Sequence, residues 1–253
     1  MRSHAFLGEA LLPYQAAVTA EAAARLGIAI GETRSASLDE LEAVAGGEPA
    51  LLFLCGLPYT RLRDRGFAVE PLAAPVSALD PDAGARYHSV LLGRPGLAGR
   101  TLEDLHDARL AINGYDSMSG WVLPVGSGLP LEWFGAVKVT GAHRASLDML
   151  LDEGADAAPI DSMLLTGERT RDDRLETLVE LAAYGPSPAP PVVLVGGDAG
   201  LADALRDVLG ALHEDAAGRA ALEWGRMLRL DPVTDADYQP TRDCDRRAAP
   251  FTP

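Results

Sequence analysis

The sequence predicts a two-lobed α/β fold with mostly parallel sheets flanked by helices. Three observations predict it. Short apolar runs alternate with capped, Ala- and Glu-rich stretches in a β-α-β-α-β order. The run Ala50 to Leu54 is apolar throughout, as a strand buried on both faces must be. A Pro-rich stretch, Pro186-Ser187-Pro188-Ala189-Pro190-Pro191, then breaks the chain between two such blocks and reads as a crossing between lobes.

The elements follow in order. Ala5 to Gly8 is a short strand, and Pro13 to Leu26 a helix that Gly27 stops in the manner of a C-cap. Ile28 to Ile30 is a brief apolar run. Ser37-Leu38-Asp39-Glu40 has the Ser-x-x-Glu capping-box form, and Gly46-Gly47 close that helix before the strand at Ala50. A second block starts after Tyr87-His88-Ser89-Val90-Leu91-Leu92. Thr101-Leu102-Glu103-Asp104 opens a short helix there, and Arg109 to Asn113 is a strand. Val137 to Thr140 is a further strand, Ala142 to Glu153 a helix, and Ala155 to Ile160 a strand ending at Asp161. Arg174 to Tyr184 reads as helix, Val192 to Val195 as strand, Leu201 to His213 and Ala217 to Leu228 as helices, and the tail from Tyr238 as polar and irregular. The lobes are then residues 1–90 plus 192–253, and residues 91–191. Strand-end loops from both face a cleft.

Composition bounds the function. A chain of 253 residues, 47% apolar and 23% charged, holds ample core for one or two domains. A formal charge of −15, with 22 Lys and Arg spread along the chain, argues against nucleic acid and anionic membrane surfaces as partners. No apolar run approaches the roughly 20 residues that span a bilayer. The first residues lack a basic start leading into an apolar segment, so the chain as written is expected in the cytoplasm. A trimmed N-terminus would instead place it in the periplasm or at the cell surface. Cys55 and Cys244 fit neither a redox motif nor a metal site; they could pair, but nothing requires it. No cofactor is implied.

The stretch that carries chemistry is Asp116-Ser117-Met118-Ser119-Gly120, between the apolar runs Ala108 to Ile112 and Trp121 to Leu123. Strand, small-residue turn and helix start present unpaired N–H groups, two hydroxyls and the positive end of the helix dipole. Together these seat an oxyanion without lysine or arginine. The plain alternative is an ordinary N-cap.

With that Ser-x-Ser-Gly turn, Val139-Thr140-Gly141-Ala142-His143 and Asp156-Ala157-Ala158-Pro159-Ile160-Asp161-Ser162 in this order, the chain resembles the phosphate/phosphite/phosphonate substrate-binding proteins of ABC transporters. These have the type II periplasmic-binding-protein fold. The likeness runs from about Leu51 to about Tyr238, with Gly56-Leu57-Pro58-Tyr59 similar to the loop after the third strand and Tyr87-His88-Ser89-Val90 to the crossover strand. The resemblance implies ligand contacts from Ser117, Met118, Ser119, His143, Tyr87, Asp161 and Tyr59, and an ABC permease as partner. The chain departs from the family in lacking a signal peptide or lipobox cysteine, in a degenerate first strand, and in Asp116 and Met118 around the serines.

Each residue has its chemistry. His143 can donate a ring N–H to an oxyanion, and Met118 offers only its backbone N–H. Asp161, otherwise the N-cap of a short helix, would select an anion that still carries an O–H, because two bare anions repel. Asp116 could do the same, with a stronger alternative as a cap. Tyr87 and Tyr59 can each lend a phenol O–H. Trp121 reads as core or ligand wall, Arg61, Arg63 and Arg65 as a solvated helix face, and Asp148, Asp152, Glu153 and Asp156 as a solvated acidic run. The expected function is therefore capture of a small oxyanion without bond making. The alternative is a cytoplasmic enzyme or effector sensor of the same fold acting on a small carboxylate, as in menaquinone-pathway proteins.

Overall fold

The computed structural model describes residues 1–7 and 11–253. Its strands are β1 (Arg2–Ala5), β2 (Thr33–Ser35), β3 (Ala50–Phe53), β4 (Val69–Ser77), β5 (Arg86–Gly93), β6 (Ala108–Ile112), β7 (Phe134–Val139), β8 (Ala157–Asp161), β9 (Val179–Pro188), β10 (Val192–Val195) and β11 (Met227–Pro232). Its α-helices are α1 (Leu12–Leu26), α2 (Leu41–Ala45), α3 (Gly56–Asp64), α4 (Leu123–Gly126), α5 (His143–Leu151), α6 (Ser162–Arg169), α7 (Ala199–Gly210), α8 (Ala216–Glu223) and α9 (Gln239–Ala248). The first strand thus lies at Arg2–Ala5 rather than Ala5 to Gly8, and Gly8 falls outside the described residues.

The chain divides into two compact units. One is Met1–Arg86 with Pro188–Gln239, and the other is Tyr87–Ser187 with Pro240–Pro253. The expected division gave the whole tail to the first lobe. Its last fourteen residues instead join the second unit, because the tail is a helix with a face to bury. Thr241, Cys244 and Ala248 of α9 are buried at i, i+3 and i+7. Arg247 Nε donates to the Gly126 carbonyl at 2.5 Å. A side chain at Gly126 would meet the Cys244 carbonyl oxygen at 2.6 Å, so α4 and α9 touch through backbone. The two cysteines are not joined in a disulfide.

The first unit is built on a six-stranded sheet in the order β11-β4-β10-β3-β1-β2. The β1–β2 and β1–β3 pairs are parallel, while β10 returns antiparallel to both β3 and β4, and β11 runs antiparallel to β4. The expected parallel arrangement holds for the opening β-α-β-α-β section and gives way where the chain re-enters. On one face α1 buries Tyr14, Val18 and Ala22 at four-residue spacing, and Gly27 ends it at φ 63°, where a side chain would be strained. Strand β4 holds Pro71 and Pro75 inside a sheet. Register shifts in its ladders with β10 and β11 accommodate residues that cannot donate.

The second unit holds a five-stranded sheet, β7-β6-β8-β5-β9. Strands β7 and β8 flank β6 in parallel, and β5 runs antiparallel to β8 with Ser89 opposite Asp161. Leu92, Ala111, Leu147, Leu150, Ile160 and Leu165 share one core beneath α5 and α6. The segment expected as a helix from Arg174 to Tyr184 is a short 3-10 turn, Asp173–Thr177, followed by β9. Its Ala- and Glu-rich composition favours helix, but the open edge of β5 offers a hydrogen-bond ladder that overrides propensity. The helix expected to reach Leu228 likewise stops at Glu223, and β11 begins at Met227. Arg226 turns there at φ 56°, and Gly225 lies against the Tyr14 ring, where a Cβ would stand 2.7 Å from the ring.

Candidate functional site

Parallel β6, β7 and β8 end at one edge of the second sheet, and antiparallel β5 begins there. This topology gathers the residues singled out from the sequence. Tyr87 and Ser89 come from the start of β5, the serine turn follows β6, the His143 loop follows β7, and Asp161 ends β8. Ser89 and Asp161, far apart in the chain, reach one sheet edge without any local signal joining them.

The turn after β6 is a five-residue π-helical turn, Met118–Val122, continuing directly into α4. Ser117 caps it: Gly120 N–H donates to Ser117 Oγ at 3.0 Å, and the N–H groups of Trp121 and Val122 both donate to the Ser117 carbonyl, at 3.1 and 3.0 Å. The first N–H groups, of Met118 and Ser119, have no acceptor within a helix by construction. The cap reading and the anion reading of Ser117 therefore coexist, since its oxygen accepts from Gly120 while its own proton stays available. Asp116 is exposed, outside the turn that Ser117 closes.

Ser119 is 5% exposed and is held at three points. Its hydroxyl lies 2.8 Å from His143 Nε2, its carbonyl accepts the Ser89 hydroxyl at 2.6 Å, and its peptide belongs to the turn. Ser89 is fully buried and carries no signature in the sequence; only its register opposite Asp161 reveals it. His143 is the first residue of α5. The loop before it is braced by Thr140, whose Oγ1 lies 3.0 Å from the Ile112 and Ala142 carbonyls and 2.7 Å from Ser146 Oγ. Burial pushes the imidazole down to about 4, so it is neutral at pH 7, and its Nδ1 is buried without a partner.

Asp161 caps α6, its Oδ1 accepting from Met163 N–H at 2.8 Å and Leu164 N–H at 3.1 Å. Burial pushes this carboxyl up to about 6, and the two N–H groups oppose the rise without cancelling it. The neighbouring Ser162 Oγ accepts the His88 N–H at 3.1 Å, fastening the start of β5 to the start of α6. Tyr87 is buried on β5. Ser117, Met118, Ser119, His143, Asp161 and Tyr87 include no lysine or arginine, so the edge offers neutral donors and one carboxyl that holds its proton unusually well.

Other expectations fall elsewhere. Tyr59 lies in the first unit, fully buried in α3, with its hydroxyl donated to Asp235 at 2.6 Å and its ring edge-on to Tyr238 at 5.0 Å. Gly56 to Tyr59 is accordingly the first turn of α3 rather than a loop. Trp121 belongs to the core of the second unit, edge-on to Tyr115 at 4.8 Å, with its indole N–H donated to Thr252 at 3.0 Å. Arg61 and Arg63 are exposed on α3, and Arg65 is exposed at its C-cap. Asp156, expected in a solvated acidic run, is instead a hub: Arg94 and Arg109 both bind its carboxylate at 2.9 Å and hold it well below the usual carboxylate range. Among the described residues no group of three or more His, Cys, Asp or Glu is placed to hold a metal ion. Among the same residues no helix is long and apolar enough to cross a membrane.

The binding-protein component of a phosphonate ABC transporter from Pseudomonas aeruginosa superposes at a TM-score of 0.82 with 14% identity, covering 100% of this chain and 88% of that one. PhnD1 from Prochlorococcus marinus, in complex with methylphosphonate, gives 0.78 and 14%, covering 98% and 97%. A Xanthomonas citri protein bound to ATP gives 0.70 and 17%, covering 99% and 97%. At these identities the likeness shows the fold, which is the two-lobed type II periplasmic-binding-protein fold. No curated protein matches the chain. A family model does, over residues 32–238, and it favours ligand capture over the carboxylate enzyme or sensor. The chain belongs to the family of periplasmic substrate-binding proteins of phosphonate ABC transporters.

Proposed function

We propose that the second unit's sheet edge holds a small phosphorus oxyanion of the phosphonate type, and that the loaded protein delivers it to an ABC permease. The Ser119 Oγ to His143 Nε2 contact at 2.8 Å carries this reading. A neutral imidazole that donates through Nε2 makes Ser119 an acceptor from histidine and a donor to the ligand, so the pair presents one aligned O–H to an anion. Ser117 adds a second hydroxyl proton, the Met118 and Ser119 N–H groups point with the turn dipole, and Tyr87 lends a phenol. Asp161 accepts the proton that a monoprotonated phosphonate carries at neutral pH, which sulfate lacks. Asp116 and Tyr59 take no part in this arrangement, one being exposed and the other engaged with Asp235.

Binding by neutral donors suits a chain of charge −15, since short hydrogen bonds act locally while the distant field is screened beyond about 8–10 Å. The small anion and the permease are the partners of this reading; nucleic acid and membrane insertion have no place in it. We place the working protein outside the cytoplasmic membrane, where a transporter's binding protein meets its ligand, and cell fractionation checks that placement.

The test of the reading is thermal shift of the purified chain against methylphosphonate, aminoethylphosphonate, phosphite, phosphate, sulfate and small carboxylates, because a ligand that binds only the folded state raises Tm. A selective rise with phosphorus oxyanions and none with sulfate is expected. A rise with carboxylates alone would overturn it.

A further inference from the structure

Asn113 directly follows β6 and stands between the two loops that the Ser119–His143 contact joins. Its carbonyl accepts the Gly141 N–H at 3.1 Å, two residues before His143. Its side chain reaches the serine turn. A Cβ at Gly120 would stand 1.7 Å from Asn113 Oδ1 and 3.0 Å from Ser117 Oγ, so the carboxamide occupies the space that glycine leaves. Asn113 Oδ1 is nevertheless buried without a hydrogen-bond partner.

An unmet carboxamide is a costly way to fill space, and an apolar side chain would do so without leaving an acceptor unpaired. Chemistry accounts for it better. Ser117 Oγ accepts the Gly120 N–H and its one proton serves the anion, so the turn leaves the Asn113 oxygen unsatisfied. A planar carboxamide with its oxygen against Gly120 turns its NH2 away from the turn, adding two donors to a set of site residues that includes no lysine or arginine. Three phosphonate oxygens offer about six lone pairs, more than two serines, one tyrosine and two backbone N–H groups can meet.

We propose that Asn113 is a ligand-contacting, specificity-determining residue of the oxyanion seat, its side-chain amide donating to an oxygen of a tetrahedral anion. The inference rests on the functional reading above. It implies that the seat distinguishes anions by the placement of neutral donors, so that replacing this one donor by an acceptor of the same shape should be worse than deleting it.

The experiment is calorimetric titration of methylphosphonate into the wild-type chain, Asn113→Ala, Asn113→Ser and Asn113→Asp at pH 7.5, with Tm recorded for each. Wild type is expected to bind, Asn113→Ala and Asn113→Ser to lose about tenfold or more, and the near-isosteric Asn113→Asp to lose about a hundredfold or more while melting close to wild type. A packing role predicts the reverse order, with Asp milder than Ala, and that order would overturn the inference. So would affinities within twofold of wild type, or a failure of all three variants to fold. If wild type itself binds no phosphorus oxyanion, the functional reading fails and this one with it; if wild type binds and the variants match it, this inference alone fails.

Discussion

Ser119 Oγ and His143 Nε2 lie 2.8 Å apart, linking the turn after β6 to the first residue of α5. Because burial keeps the imidazole neutral, the contact is a neutral hydrogen bond whose direction the ligand can set. Ser117→Ala and Ser119→Ala each remove a hydroxyl from an anion. Each should weaken methylphosphonate binding by about 1.5–3 kcal/mol, which is about 10- to 150-fold, as read by calorimetry. Met118→Ala should change affinity little, because its thioether is no partner for an anion and its N–H survives the substitution.

His143 and Asp161 make opposite demands on pH. Folding lowers the histidine from 6.5 to about 4, so the unfolded chain binds more protons between those values and this residue makes stability rise with pH. Folding raises the aspartate from 3.8 to about 6, so the folded chain binds more protons and this residue makes stability fall across nearly the same window. In wild type the two slopes oppose each other. Asp161→Asn, which keeps a good N-cap, should steepen the rise in stability from pH 4 to 6.5. His143→Gln should tilt the profile the other way. The differences are on the order of 1–3 kcal/mol and are measured by denaturant unfolding of ligand-free protein across that range. Parallel profiles for the two variants would contradict both assignments.

Asp161 also bears on ligand choice. A carboxyl and a phosphonate at the same edge must share a proton, so wild-type affinity for methylphosphonate should fall as pH rises past the ligand's last ionisation. Asp161→Asn removes the repelled charge, and its affinity should hold over the same range. Titration calorimetry from pH 6 to 9 reads both, and a flat wild-type profile would remove the aspartate from the site.

The sequence made the edge visible where function writes itself in local signals. The small-residue turn at Ser117 to Gly120, the glycine before His143 and the capping aspartate at 161 all stand at ends of apolar runs, where strand gives way to helix. Ser89 and Asn113 were illegible for a physical reason: each acts on a residue 30 or 7 positions away, through a register or a glycine gap that only the folded sheet creates. The wrong elements have the same cause. Val179 to Tyr184 has helical composition and pairs with β5 as a strand. The tail was misread because α9 buries Thr241, Cys244 and Ala248, a face too small and polar to register as an apolar stripe. Strand β4 was hidden by its two prolines, which bulged ladders tolerate.

That small face makes α9 sensitive to backbone spacing. The helix approaches α4 so closely that a Cβ at Gly126 would stand 2.6 Å from the Cys244 carbonyl oxygen and 3.1 Å from its Cα, and backbone cannot swing aside as a flexible side chain can. The Arg247 guanidinium reinforces the approach through the Gly126 carbonyl. Gly126→Ala should therefore lift α9 from the second unit and destabilise it by about 1–3 kcal/mol, the range for overpacking a close contact. Arg247→Ala should cost less, because the backbone approach survives it. Hydrogen exchange localises the effect: in Gly126→Ala, amides of residues 240–248 should lose protection first, while those of β3 in the first unit keep theirs. Uniform loss across both units would show that the tail is not an independent attachment to the second unit but part of one cooperative whole.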